Sequence, residues 1–116
     1  MTHFGTNIKV NVSPSLRENT QRFYTQGLSA TCTSPNEQLD LFAFAKGETL
    51  GVFYNDQALT EDEMRRAPWL EFAVSDPDAV ASTLLTLGGT AVKGLTNHPY
   101  IAAPGGLVFR LSPNGH

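Results

Sequence analysis

Apolar and polar residues alternate over positions 7–12, which predicts a β-strand that buries one face. Ser13 and Pro14 follow, a pair that suits the start of a helix. Apolar positions then recur at helical spacing as far as Gly27, where glycine is expected to take the left-handed conformation that closes a helix. The pattern therefore predicts one strand followed by one helix.

Shorter apolar segments come after this helix, and turn-forming residues separate them. They predict three antiparallel strands at residues 31–34, 39–45 and 49–54. Residues 55–68 are the most charged part of the chain, and Thr60 and Glu63 have the spacing of a capping box. A short exposed helix within a linker is the expected structure there.

The same order of patterns then begins again. A strand is predicted at residues 69–74, and a helix follows that starts at Asp76 and ends at Gly88 and Gly89. Three more strands are predicted at residues 90–92, 100–103 and 107–111. A shift of 62 positions places Val12 on Val74 and Gly27 on Gly89, so the chain is predicted to contain an internal repeat.

The repeat predicts an α+β fold with two βαβββ units that form a partly open eight-stranded barrel. The first unit covers about residues 1–54, the linker covers residues 55–68, and the second unit covers about residues 69–116. Both helices are expected on the outside of the curved sheet. The concave face then remains as a cup for a ligand.

Composition narrows the possible functions. The 116 residues carry a formal net charge of -3 and are 41% hydrophobic, which fits one domain with one core and disfavours nucleic-acid binding. No apolar run reaches the roughly 20 residues of a membrane span, and the N-terminal residues do not resemble a signal peptide, so a cytoplasmic location is expected. The single Cys32 cannot form an internal disulfide.

In the order of its predicted elements and in their duplication, the chain resembles the vicinal oxygen chelate superfamily. This superfamily includes glyoxalase I, extradiol dioxygenases, fosfomycin-resistance proteins and bleomycin-binding proteins. The segments that carry this resemblance are VNVS at 10–13, FYTQGL at 23–28, LEFAVSD at 70–76 and APGGLVF at 103–109. The resemblance implies a single glyoxalase-like domain over residues 1–116. It also implies a divalent metal ion in the cup, held by His, Gln or Glu side chains.

The metal-binding positions of the superfamily can be compared with this chain one at a time. They correspond here to Asn7, Trp69, a position near Gly51, and Arg110. An indole and a glycine supply no metal ligand, a guanidinium repels a cation, and an amide oxygen is a weak donor. We therefore expect the metal site to be lost and the protein to have no metal cofactor.

Strand alternation assigns nine residues to the concave face: Asn7, Lys9, Asn11, Gly51, Phe53, Trp69, Glu71, Val108 and Arg110. Arg110 suits a carboxylate or a phosphate, because its N–H groups form paired hydrogen bonds. Trp69 and Phe53 suit a planar or apolar group, and Asn7 or Asn11 suits the orientation of a ligand. Together with Lys9 and Glu71, these residues predict a site for a small anionic or aromatic molecule, with no assigned catalytic residue.

Two other interpretations stay open at this point. Arg110 and Glu71 pair across the sheet in one of them and fill the cup, which leaves a module that binds a partner protein. In the other, the protein is a divergent glyoxalase-like lyase, isomerase or dioxygenase that uses unusual metal ligands such as Glu71 and His98. A homodimer is expected in each case, because dimers are common in the superfamily and exposed strand edges favour pairing.

Overall fold

The computed structural model describes residues 1–113, so positions 114–116 at the end of the predicted second unit lie outside the described residues. The strands are β1 Asn7–Val12, β2 Thr31–Asn36, β3 Leu39–Ala43, β4 Thr49–Tyr54, β5 Leu70–Val74, β6 Thr90–Val92, β7 Tyr100–Ala102 and β8 Val108–Pro113. The helices are α1 Arg17–Arg22, α2 Glu61–Met64 and α3 Pro77–Thr86. A 3₁₀ turn, Pro14–Leu16, precedes α1, and a π-helical turn, Phe23–Gly27, continues it.

The strands form two four-stranded sheets of identical topology. The first sheet has the order β1-β4-β3-β2 and the second has the order β5-β8-β7-β6. In each sheet the first and last strands of the unit are parallel, and the remaining neighbours are antiparallel. This topology confirms the predicted α+β fold with two βαβββ units. The eight strands are divided between two sheets that are not closed, and β1 and β5 are edge strands.

A chain of six aromatic rings connects the two units through the core. Successive centroids lie 4.9 to 6.0 Å apart in the order Phe42, Tyr24, Phe23, Phe109, Phe72, Phe44. Tyr24 contacts the first sheet and Phe23 contacts the second, so the π-helical turn packs between the two sheets. The first helix was predicted on the outside of one curved sheet; it is instead shared by the buried faces of both sheets, because it carries large apolar side chains on two sides.

Gly27 serves a different purpose from the predicted one. It does not have a positive φ; Ser29, two residues later, has a φ of 61°. A Cβ atom added at Gly27 would lie 2.3 Å from Leu84 Cδ2 and would displace that buried side chain, so glycine allows the close approach of the first helix to α3. The corresponding prediction for α3 is confirmed, because Gly88 has a φ of 95° directly after that helix.

The linker contains the predicted capping box. The Thr60 hydroxyl accepts a hydrogen bond from the Glu63 backbone N–H at 3.2 Å, and the Glu63 carboxylate accepts one from the Thr60 N–H at 2.9 Å. Met64 at the end of α2 is buried, so this short helix is packed on one side. Among residues 1–113, no helix is long and apolar enough to cross a membrane.

A buried carboxylate fixes α1 to the first sheet. Asp40 is fully buried and accepts hydrogen bonds from Arg17 Nη2 at 2.8 Å, Gln21 Nε2 at 3.0 Å, Ser34 Oγ at 2.6 Å and Tyr54 Oη at 2.8 Å. Burial raises the pKa of Asp40, but these four hydrogen bonds together hold it below the ordinary value of 3.8. None of these five residues was among the predicted functional or core residues.

The ring chain generates the first prediction. Replacing Phe109 with Ala removes a ring that contacts both Phe23 and Phe72, and we expect the free energy of unfolding to fall by about 3 to 5 kcal/mol. Urea denaturation followed by circular dichroism measures this change. Phe4→Ala is the matched control, because Phe4 is fully exposed and its loss should leave stability unchanged. Equal effects of the two substitutions would contradict the proposed core.

The second prediction concerns the pH dependence of stability. Asp40→Asn should lower the free energy of unfolding near neutral pH by about 3 kcal/mol, because it removes one partner of a buried ion pair. The unfolded chain is protonated at Asp40 near pH 3.8, before the folded protein, so the advantage of the wild type should decrease below that pH and disappear below the folded-state pKa. Urea titrations over a pH series measure this difference in the free energy of unfolding. Asp78→Asn, at an exposed position, is the control. A difference independent of pH would contradict this assignment.

Candidate functional site

The second sheet presents a row of polar side chains on the face that the helices do not cover. Glu71 in β5 is paired in register with Arg110 in β8, and Arg110 is paired with Tyr100 in β7. Their neighbours Phe72 and Phe109 point to the opposite face, toward the core, because side chains alternate along a strand. Glu71, Arg110 and Tyr100 therefore form one row across three strands, which we call the polar row.

An ion pair occupies the centre of the polar row. Arg110 Nε donates to Glu71 Oε2 at 3.0 Å, Arg110 Nη2 donates to the same oxygen, and Ser112 Oγ donates to it at 2.6 Å. The hydrogen bonds from Ser112 and Arg110 lower the pKa of Glu71, and the hydrogen bond to Glu71 raises the pKa of Arg110. Both side chains are partly exposed, at 34% for Arg110 and 44% for Glu71, so a ligand can reach the pair.

Two aromatic rings lie beside this ion pair. The centroids of Trp69 and Tyr100 are 5.4 Å apart with an interplanar angle of 57°, and Trp69 Nε1 donates to the Arg65 carbonyl oxygen at 2.8 Å. Trp69 and Tyr100 flank β8 on its two sides, on the same face of the sheet. Their rings meet over Val108, which is fully buried. The indole is held in place by its hydrogen bond while 39% of Trp69 stays exposed, which suits contact with a planar ligand.

A small pocket adjoins the ion pair on the other side. Its volume is about 290 Å³, and it is lined by Glu71, His98, Arg110, Ser112 and Pro113. The loop before β7 brings His98 to this position: the His98 N–H donates to Thr96 Oγ1 at 3.2 Å, and Thr96 Oγ1 lies 3.1 Å from Tyr100 Oη. The pocket is at the lower end of the size range for small-molecule sites.

The predicted site residues of the first sheet form a separate group. Lys9 Nζ lies 5.0 Å from the centroid of the Phe53 ring, and Asn55 Nδ2 donates to Asn11 Oδ1 at 3.2 Å, while Asn7 is exposed at the start of β1. Within residues 1–113, no hydrogen bond, ion pair or ring contact links this group to the polar row. Arg110, Trp69 and Glu71 are joined at the second sheet, whereas Asn7, Lys9, Asn11 and Phe53 belong to the first sheet.

The donor chemistry of the site does not fit a divalent metal ion. The positions that the sequence resemblance predicts for metal ligands hold Asn7, a residue near Gly51, Trp69 and Arg110. Glu71, the nearby carboxylate, is already bound by Arg110 and Ser112. In the part of the chain that the structure describes, no three His, Cys, Asp or Glu side chains are placed to hold a metal ion together.

Two contributors to the site were not predicted. Ser112 lies two positions after Arg110, so strand alternation places it on the same face, and this signal was available in the sequence. Tyr100 was not assigned to the site, and its position beside Arg110 follows from the pairing of β7 with β8. That pairing is a long-range contact that no local pattern contains.

Comparison with known proteins agrees with this architecture. No protein-family model matches the chain, and no curated protein matches it in sequence. Among solved structures, a glyoxalase-related enzyme from Fulvimarina pelagi has a TM-score of 0.74 at 19% identity, covering 97% of this chain and 89% of that chain. A possible glyoxalase from Bacillus cereus has a TM-score of 0.71 at 13% identity, covering 96% of this chain and 99% of that chain.

A fosfomycin resistance protein from Listeria monocytogenes, solved as a mutant with Mn(II) and 1S,2S-dihydroxypropylphosphonic acid, is also similar. Its TM-score is 0.77 at 16% identity, covering 97% of this chain and 90% of that chain. Glyoxalase-related and fosfomycin resistance proteins belong to the vicinal oxygen chelate superfamily. The chain thus has the fold of this superfamily, as its sequence resemblance implied.

Proposed function

We propose that the protein binds a small anionic or aromatic molecule at the polar row, as a glyoxalase-like or bleomycin-resistance-like binding protein that needs no metal ion. The observation that carries this proposal is the partly exposed Arg110, fixed by Glu71 between an aromatic pair and a small pocket. Recognition of a small molecule requires a few polar atoms beside an apolar surface, and the polar row supplies both.

Each residue of the site has a separate part in this proposal. The guanidinium of Arg110 donates hydrogen bonds to a polar group of the ligand, since the pair with Glu71 uses only some of its N–H groups. The rings of Trp69 and Tyr100 contact the planar part of the ligand. Ser112 holds Glu71 in place and thereby positions Arg110.

The third prediction tests this assignment. A library of small aromatic acids and amides is screened by the fluorescence of Trp69, the only tryptophan of the chain. Arg110→Ala should weaken the best compound by about tenfold or more, because a charge-assisted hydrogen bond is lost. Arg22→Ala removes an exposed guanidinium from α1, outside the polar row, and should leave the affinity unchanged. A compound that binds Arg110→Ala and wild type equally would contradict the site.

One observation favours a second candidate function. Glu71 and His98 line the same pocket, which is the pair that an unusual glyoxalase-like lyase or isomerase would use. Elemental analysis of the purified protein separates the two functions. The binding proposal expects no stoichiometric metal and no thermal shift with zinc, nickel, manganese or iron. A stoichiometric ion that raises the melting temperature would favour the enzyme.

We also propose that two copies of the chain assemble through the edges of their sheets. The edge strands β1 and β5 border a groove of about 640 Å³, and most of its lining surface is apolar. Ile8 in β1 lines this groove and is 44% exposed, so it adds apolar surface at the β1 edge. Pairing of a free edge with a second copy covers both the backbone groups and these side chains.

The fourth prediction concerns this assembly. Wild-type protein should sediment as a dimer in analytical ultracentrifugation, and Ile8→Asp should shift it toward the monomer by placing a charge in an apolar interface. Leu95→Asp is the control, because Leu95 is a fully exposed loop residue far from the β1 edge in sequence and topology. The dimerisation of the Leu95→Asp variant should match that of the wild type. A monomeric wild type would contradict the proposed assembly.

A further inference from the structure

The ion pair determines which electric charge a ligand meets at the polar row. Arg110 directs both Nε and Nη2 to one oxygen of Glu71, so the carboxylate neutralises the guanidinium at close range. Apart from Arg110, His98 is the one basic side chain among those of residues 1–113 that line the adjoining pocket, and no lysine of this range lines it. A ligand that approaches this point therefore encounters a neutral pair of groups and not an isolated positive charge.

The hydrogen bonds of the pair leave a particular pattern of atoms for a ligand. Glu71 Oε2 accepts the bonds from Arg110 and Ser112, whereas Oε1 accepts none from a side chain within residues 1–113. Arg110 Nη1 is not used to bind Glu71. The pair thus leaves one acceptor oxygen of Glu71 and one N–H₂ group of Arg110 unused by each other on a partly exposed surface.

This pattern is complementary to a primary carboxamide. The amide N–H₂ donates to Glu71 Oε1 while the amide carbonyl oxygen accepts from Arg110. A carboxylate of the same shape has two acceptor oxygens and no donor, so it leaves Oε1 unsatisfied and places two negative charges close together. The rings of Trp69 and Tyr100 beside the pair favour a planar aromatic group attached to the amide.

We infer that Glu71 is a specificity-determining residue, which makes the polar row select a neutral aromatic carboxamide over the corresponding carboxylate. This inference rests on the proposed binding function and narrows its ligand class. It assigns the ion pair to recognition, since an exposed pair of this kind contributes little to stability. Ser112 contributes by holding Oε2, which directs Oε1 toward the ligand.

The experiment uses two matched probes, benzamide and benzoate, titrated into the full chain. Trp69 fluorescence and the NMR signal of its indole N–H report binding, since this indole belongs to the aromatic pair. Wild-type protein should bind benzamide about tenfold more tightly than benzoate, because only the carboxylate is repelled by Glu71. This ratio tests the inference without any substitution.

Glu71→Gln then removes the charge while preserving the shape of the side chain. We expect the affinity for benzoate to rise about tenfold, so that the wild-type preference for benzamide is lost, because Arg110 is no longer neutralised. Glu37→Gln is the matched control: it changes the net charge equally from an exposed turn of the first sheet, and should leave the wild-type ratio unchanged. Circular dichroism confirms that each variant is folded.

The outcomes separate the inference from the function on which it rests. If the wild type binds both probes equally or prefers benzoate, the role of Glu71 is overturned and the binding function is retained. An unchanged ratio in folded Glu71→Gln likewise overturns that role. If neither the wild type nor Glu71→Gln binds either probe, the proposed function itself is overturned.

Discussion

The packing of the two sheets against one shared helical turn determines where a functional surface can exist in this protein. Phe23 and Tyr24 are adjacent in sequence, and their rings contact different sheets. Each sheet therefore buries one face against the shared turn, and only its other face is left partly uncovered. The polar row lies on such an uncovered face, so its position follows from the core and from strict alternation along β5 and β8.

Two arginine–carboxylate pairs illustrate how burial changes the role of one chemical motif. Arg17 and Asp40 pair on the core side of the first sheet. Asp40 is fully buried there, and each of its hydrogen-bond partners donates to it. Breaking that pair leaves a buried charge without a partner, so the pair serves the structure. Arg110 and Glu71 lie in the second sheet with much of each side chain exposed, and their hydrogen-bonding capacity is only partly used. An arrangement of this kind remains available for recognition.

Most of the fold could be predicted, because local sequence patterns indicate which residues of each element are buried in the core. The alternation at 7–12 marks β1 correctly, and the spacing of Thr60 and Glu63 marks the capped linker helix. The role of Gly27 could not be found in this way, since it depends on Leu84, a residue in the other unit. Asp40 did leave a signal, because it shares a strand face with Phe42, yet its four donors come from three separate segments.

The candidate site was predictable in part for the same reason. The alternation of side chains along the strands placed Glu71 and Arg110 on one face. The sequence allowed them either to pair with each other or to bind a ligand, and they are paired. The separation of the β1 residues from the polar row was not foreseen, because strand parity says nothing about how two sheets are arranged. Tyr100 likewise reaches the site through the long-range pairing of β7 with β8, whereas His98 had been named with Glu71 in the enzymatic interpretation and lines the same pocket.

The contact between the linker and the last hairpin has a consequence for how the two repeats are divided. A Cβ atom added at Gly106 would lie 2.7 Å from the Glu61 carbonyl oxygen, and Gly106 has a φ of 96°, so α2 rests directly on the turn between β7 and β8. The linker helix is thus integral to the second unit. In a split protein reassembled from two polypeptides, the natural cleavage point falls before Thr60, and the C-terminal fragment keeps its own cap.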